Sequence, residues 1–425
     1  MWFSNIALVA VLSSLCTISS AANTKSANFI ADDFSVGFAL NIPEQSSNDE
    51  LYFTITGLSY SSWLAVGMGL PKMANSLIFM VYSSSDGSNI TLSPRFSHGN
   101  TEPSYTSSIT TEILAGSGVN NGTMTVNARC QMCRSWATGS LAQNSTNAPF
   151  IYAVGPDGSL RSSSKHASVK RHAIYGSFTM DLTQAVGPAG IPDRITADSK
   201  GSVEKKRKLD HELAAKAHAC IMVFVFVGLL PVGVLVLRIF NRPIWHAFNQ
   251  FISLGLAMVG MILGFVIGRM YNRTRKFNSA HQIFGLLIMI AMIGQFVIGV
   301  MHHRIYRRNK KVNAAKTTTV YTPYHIWLGR IVILSGIING FLGFPLALNP
   351  RYNYVLTGLV GLVVILSLPL IWWKRERFFG STKGPLVKKQ NPDFGPEGYQ
   401  ERPWETGSTV RLHTYPPGGY ETRYS

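Results

Sequence analysis

The sequence predicts a multi-domain chain: an exported all-β sandwich followed by an all-α membrane bundle of five helices. Three observations carry this. Charged residues make up 14% of the 425 residues and hydrophobic ones 46%, where an ordinary soluble protein carries roughly 25% charge. Before residue 200 the apolar residues fall in short runs broken by Ser, Gly, Asn and Asp, the pattern of many short strands separated by turns. Beyond residue 212 they fall in five long runs, each matching the roughly 20 residues that cross a bilayer as helix.

Residues 1–22 hold an apolar run, Ile6 to Ile18, and then Ser19-Ser20-Ala21-Ala22. This is the layout of a secretory signal with a small-residue cleavage site; an N-terminal anchor is the alternative. The β domain follows over 28–198, with strands expected at Leu51–Leu58, Trp63–Leu70, Ser76–Tyr82, Gly122–Ala128, Pro149–Val154 and Tyr175–Leu182. Three acceptor triplets, at Asn89, Asn121 and Asn144, suit a glycosylated, exported domain. Residues 199–212, with Lys205-Lys206-Arg207-Lys208, read as a hydrophilic linker. The membrane domain spans 213–373, with helices at about 217–237, 247–268, 281–301, 326–346 and 354–373. The tail, 374–425, is polar and rich in Pro, Gly and Tyr, and reads as disordered.

Charge locates the parts. Residues 23–200 hold 11 Lys+Arg against 12 Asp+Glu, while 201–425 hold 28 against 9, so the net +18 lies wholly in the second half. Cations at the ends of apolar runs orient spans in a membrane and argue against a nucleic-acid partner. An exported β domain puts the start of the first span outside and the end of the fifth inside. The loop between the third and fourth spans, with Arg304, Arg307, Arg308, Lys310, Lys311 and Lys316, is then cytoplasmic, as is the tail. The outward loop with Arg269, Arg273, Arg275 and Lys276 dissents. The expected location is the plasma membrane or an endomembrane, with the β domain extracellular or luminal.

The chemistry rests on histidines. His218, His246, His281 and His325 each open one of the first four spans, and ionisable residues at such positions tend to be functional. Antiparallel helices put His218 level with His281 and His246 level with His325, the two levels up to ~30 Å apart. Two stacked bis-imidazole sites suit two haems, each iron taking one neutral His from each of two facing helices. Zinc fits less well, because neither pair has Cys or carboxylates near it in sequence. Glycines 285, 294, 299, 329, 336, 340 and 343 offer room for a macrocycle or serve plain helix packing. Arg330, inside the fourth span, needs a partner such as a haem propionate, or an interfacial position.

These motifs, Lys216-Ala217-His218-Ala219, Trp245-His246, His281-Gln282-Ile283-Phe284-Gly285 and His325-Ile326-Trp327-Leu328-Gly329-Arg330, together with His302-His303, resemble the cytochrome b561 family over residues 210 to about 375. The resemblance implies a di-haem b protein that carries electrons across a membrane, from cytoplasmic ascorbate or another small reductant to ferric iron or a secreted oxidoreductase. It also implies ferric reductase activity and a homodimer as expectations. In the first half, Gly67-Met68-Gly69-Leu70-Pro71-Lys72-Met73-Ala74-Asn75-Ser76-Leu77 and Leu92-Ser93-Pro94-Arg95 resemble the DOMON domain, an immunoglobulin-like sandwich. Within that family they are most similar to the haem-binding cytochrome domain of fungal cellobiose dehydrogenase. By motif position Met73 and His172 are its haem b ligands. Met68, Met80 and His166 stay open as alternatives, and some DOMON domains bind sugar instead of haem.

Cys130-Gln131-Met132-Cys133 is followed by Arg134, so it is not a c-type haem attachment motif; a short-loop disulfide suits an oxidising compartment. Cys16 leaves with the signal and Cys220 reads as a packing residue in the first span. No dinucleotide fingerprint or phosphate-cradling loop is present, so electrons must come from a diffusible donor or a partner. Arg238, Arg242 and Arg304 form a basic inner mouth that would attract an anionic donor, or merely orient the spans. The rival readings are a membrane-anchored carbohydrate- or ligand-binding surface protein, and a transporter or proton channel.

Overall fold

The computed structural model describes residues 24–45, 49–193, 195, 198–312 and 319–380, with side chains at 310 and 373–380 left out. The expected signal, with Cys16, and the tail beyond 380 lie outside the described residues.

Two antiparallel sheets face each other. One runs in the order Ala27–Ile30, Val36–Pro43, Leu51–Leu58, Thr123–Gln131, Thr110–Ile113. The other runs Ser202–Leu209, Ile174–Met180, Ala148–Val154, Leu64–Met68, Leu77–Ser83, Ile90–Phe96, Ser104–Tyr105. Alternation explains the core: in Thr123–Gln131 every second residue is buried, as a strand with one face inward requires. The inward set includes Phe29, Phe38, Phe53, Phe79, Phe150 and Phe178, with Phe29 stacked on Phe178 at 3.8 Å.

Leu64–Met68 and Leu77–Ser83 are buried along their whole length, because both of their faces are covered. Leu64, Val66, Met68, Leu77, Phe79 and Val81 join the sandwich core. Their neighbours Ala65, Ile78 and Met80 join Trp63, Tyr82 and Val169 in a second cluster on the opposite face. That second face carries the β-domain site.

Residues 199–212 are not a linker. Ser202–Leu209 pairs along Ile174–Met180 as an exposed edge strand, and its cations are the kind of residue that keeps such an edge from pairing with another chain. Asp33 holds it through Arg207 at 2.5 Å, and Glu204 accepts from the Asp32 amide and the Tyr152 hydroxyl. The β domain therefore runs to Leu209, and the first helix begins four residues later.

Five helices are long and apolar enough to cross a membrane. They are α1 (Leu213–Phe240), α2 (Pro243–Gly268), α3 (Ala280–Lys311), α4 (Tyr321–Leu346) and α5 (Tyr352–Gly380). All start before the expected bounds, and α3 and α5 also end well beyond them, α5 helical past the expected start of the tail. Helix α1 widens to a π turn at Phe224–Leu229. Asn249 donates to the Leu229 carbonyl there at 2.7 Å, and Phe226 packs where a Cβ on Gly336 would stand 2.0 Å from its ring. Cys220 is exposed rather than packed, since two residues beyond His218 the helix has turned to its other side.

Candidate functional site

In the bundle, His218 and His281 stand with ring centroids 6.1 Å apart and planes at 87°. His246 and His325 stand 6.4 Å apart at 88°. The pairing is the one expected from antiparallel topology. Two imidazoles each bonded to one metal at about 2 Å hold their centroids about 6 Å apart, so each gap suits one iron.

The second nitrogens are largely spoken for. His218 Nδ1 meets the Gly260 carbonyl at 2.7 Å, His246 Nδ1 the Gly233 carbonyl at 2.8 Å, and His281 Nδ1 the Asn339 carbonyl at 2.9 Å. A carbonyl can only accept, so each Nδ1 carries the proton and Nε2 is left with its lone pair, the arrangement of a metal-ligating imidazole. His325 differs: its buried Nδ1 has no hydrogen-bond partner among the described residues. Its ring is fixed instead by a stack on His302 at 6.2 Å, while His302 Nδ1 meets Thr319 Oγ1 at 2.7 Å.

Glycines seat these rings. A Cβ on Gly264 would stand 3.0 Å from the His218 ring, one on Gly343 2.9 Å from His281, and one on Gly299 2.8 Å from His325. Gly285, Gly329, Gly336 and Gly340 lie close to Asn339, Gln295, Phe226 and Leu356 respectively, whereas Gly294 faces open space. The glycines admit ligand rings and packing side chains. A cavity of about 240 Å³ opens at the His218/His281 pair, lined by Phe226, Gly264, Phe277 and Met289.

In the β domain, Met73 and His172 border one cavity of about 390 Å³, with Trp63, Met80, Tyr152 and Tyr175. Met73 sits in a turn held by Ser76 Oγ on the Lys72 carbonyl at 2.6 Å and by Trp136 Nε1 on the Asn75 carbonyl at 3.2 Å. His172 follows a strap, 164–171, tied across the sheet. Arg95, fully buried, donates to the carbonyls of Pro103, Lys165 and Ala167; Trp63 donates to Lys170 and Tyr82 to Ser164.

His172 Nδ1 lies 3.4 Å from Asp210 Oδ2, too poorly aligned for a hydrogen bond. Burial, only partly offset by Asp210, holds the imidazole below its usual range, so it is neutral and able to ligate. Of the alternatives, Met80 shares the cavity. Met68 points into the sandwich core, and His166 is exposed and packs edge-on against Tyr105 at 4.6 Å.

Cys130 and Cys133 form a disulfide. Arg330 lies over the Trp327 ring at 4.8 Å. Arg238 and Arg242 lie at the end of α1 and the start of α2, and Arg304 in the last third of α3; by antiparallel order these share one end of the bundle. They have no ion-pair partner among the described residues. Asn89, Asn121 and Asn144 are all exposed.

Sequence reasoning did not single out Glu102 or Tyr271. Glu102 is a buried carboxylate on a β-domain loop. It accepts from the amides of Val169 and Asn272 at 3.1 and 2.8 Å, and its own amide donates to the Met270 carbonyl. Arg273 donates to the carbonyls of Leu346 and Val169, and Arg275 to Thr101 Oγ1. The basic α2–α3 loop that dissented from the charge rule thus spends two of its cations on docking the β domain.

Comparison with known proteins finds likenesses in both halves. Residues 21–189 match the family model of the cytochrome domain of cellobiose dehydrogenase, and residues 198–304 match a domain of unknown function, DUF2427. A cytochrome b561 and DOMON domain-containing protein of Arabidopsis thaliana is 25% identical over 216 residues, covering 47% of this chain and 51% of that protein. The match thus spans about half the length of that relative. Among solved structures, the cytochrome b domain of Coprinopsis cinerea pyranose dehydrogenase is 22% identical, with 38% of this chain and 83% of that one covered at a TM-score of 0.35. The cytochrome domain of Myriococcum thermophilum cellobiose dehydrogenase is 18% identical, with 38% and 86% covered at 0.31.

Proposed function

We propose, for a chain whose first half matches a cytochrome-domain family and whose second half resembles cytochrome b561, that it is a transmembrane electron-transfer cytochrome. It takes electrons from a cytoplasmic reductant, by resemblance ascorbate, and delivers them to an outside acceptor such as ferric iron or a secreted oxidoreductase. The observation that supports this most is the pair of perpendicular imidazole gaps, 6.1 and 6.4 Å.

Haem b, when bound, supplies reversible one-electron chemistry at its iron. The chain's part is to hold and insulate it. His218 with His281, and His246 with His325, offer four imidazole nitrogens, and the carbonyls of Gly260, Gly233 and Asn339 keep three of the rings turned toward the gaps. Met73 and His172 offer a thioether and an imidazole, a set that raises the potential above that of a bis-His site and so favours outward flow. Arg238, Arg242 and Arg304 give the inner end a positive field for an anionic reductant. Lipid covers the apolar outer faces of the helices.

Membrane vesicles loaded with ascorbate test the reading. External ferric chelate should be reduced, and the rate should fall to background in His246→Ala and in His218→Ala. Reduction that survives both substitutions contradicts it.

A further inference from the structure

We propose that Tyr271, in the α2–α3 loop, is the electron-transfer bridge between the β-domain cofactor site and the outer membrane cofactor site. The inference rests on the function proposed above and names the contact through which the two halves of the chain communicate.

Three cavities meet at the junction of the β domain and the bundle. One is the Met73/His172 cavity. The second is the His218/His281 cavity. The third, of about 290 Å³, lies beside them and is lined by Arg171, Asp210 and Glu212. Among the described residues, Tyr271 alone borders all three. It is thus a partition shared by the two histidine-bearing cavities. Lys170 also borders the first two cavities, but it offers a saturated stem and ties its ammonium to Asn349 Oδ1 at 2.8 Å.

The partition is held from every side. The Tyr271 hydroxyl donates to Glu212 Oε1 at 3.0 Å, on the segment that joins the last strand to α1. The Arg273 guanidinium lies over the ring at 4.3 Å and is itself fixed by the carbonyls of Leu346 and Val169. Glu102 locks the loop on both sides of the tyrosine, through the Met270 carbonyl and the Asn272 amide. Val169, whose amide also donates to Glu102, belongs to the strap that carries His172. One carboxylate therefore sets the distance between the strap and the tyrosine.

Burial and the neighbouring Glu212 push the phenol above its usual range, so it keeps its proton; what it offers the electron is a packed aromatic ring. With haem at both sites, one electron would pass from the ferrous iron held by His218 and His281, which would become ferric, to the ferric iron held by Met73 and His172, which would become ferrous. No proton moves and Tyr271 is unchanged.

The test uses the full-length haem-loaded protein in detergent. Haem per chain and the low-spin ferric EPR signals are recorded for wild type, Tyr271→Phe, Tyr271→Leu and Tyr271→Ala. The rate at which the outer haem is reduced after the membrane haems is then followed by rapid mixing. Tyr271→Phe keeps the ring and should keep the rate. Tyr271→Leu and Tyr271→Ala should keep haem content and EPR signals but slow the inter-haem step by about tenfold, equivalent to ~1.4 kcal/mol. A wild-type rate in the loaded Leu and Ala variants overturns the bridge. So does loss of haem from both, which would make Tyr271 a wall of the cofactor site only. Two haems in the wild type would instead overturn the outer haem itself, and with it the reading on which the bridge rests.

Discussion

A Cβ placed on Gly343 would stand 2.9 Å from Cε1 of His281, so the α4 backbone and the α3 imidazole are in contact with no space for a methyl group. Gly299 and His325 repeat the relation at 2.8 Å between α3 and α4. Each helix of this pair therefore supplies a histidine and the glycine that seats the other's histidine.

Gly343→Ala puts a methyl group against the His281 ring, so the ring or the helix backbone must shift; overpacking of this kind costs roughly 1–3 kcal/mol. The expected outcome is loss of one haem per chain from the His218/His281 site, with the other membrane haem retained. Gly299→Ala should show the reverse selectivity. Gly294→Ala, where a Cβ meets nothing, is the control. Equal haem content in all three variants, read from reduced-minus-oxidised spectra, would contradict the seating role.

The outer ligands separate by substitution. Met73→Ala and His172→Ala should each remove one haem, while Met68→Leu, in the sandwich core, and His166→Ala, on the surface, should remove none. Met80→Leu should keep the haem and shift its spectrum only slightly, because Met80 borders the cavity beside Met73. Loss of haem in Met80→Leu with retention in Met73→Ala would exchange their roles.

Acid should loosen the edge strand Ser202–Leu209 at its tie to Asp33. Burial alone would raise the Asp33 carboxyl, but the hydrogen bonds from Ser35 and the charge and hydrogen bond of Arg207 outweigh it and hold the group below its usual value. A carboxylate depressed in the folded state stabilises above the unfolded value, about 3.9, and loses that contribution as pH falls through the folded one. Arg207 is 41% exposed, so screening leaves about 1 kcal/mol or less. Asp33→Asn should lower the unfolding temperature of the β domain at pH 6, and the gap to wild type should narrow at pH 3. A gap unchanged between the two pH values would exclude the ion pair as its cause.

At the inner end, Arg242→Ala or Arg304→Ala should raise the ascorbate concentration needed for half-maximal haem reduction without changing haem content. An unchanged concentration dependence would assign these arginines to membrane orientation alone.

Much of this was legible in the sequence because it is local. Each of the four membrane histidines opens a long apolar run, and antiparallel helices convert that repetition into two pairs. Alternation placed the strand Leu51–Leu58 to the residue. What escaped was non-local or two-sided. Ser202–Leu209 has few apolar residues because its outer edge and much of its face meet water, so its charges read as a linker. Glu102 carries no local signal: its partners are at 169, 270 and 272, joined only when the β domain docks. Arg273 looked like an orientation charge for the same reason. Met73 and His172 came from resemblance, and the three-dimensional strap from Arg95 to the 164–171 segment is what brings them to one cavity.

The most direct measurement is haem b per polypeptide in the purified full-length protein, from oxidised and dithionite-reduced spectra. Two bis-imidazole gaps and one Met/His cavity predict close to three, falling to two in Met73→Ala or His172→Ala. A colourless protein would contradict the electron-transfer function altogether.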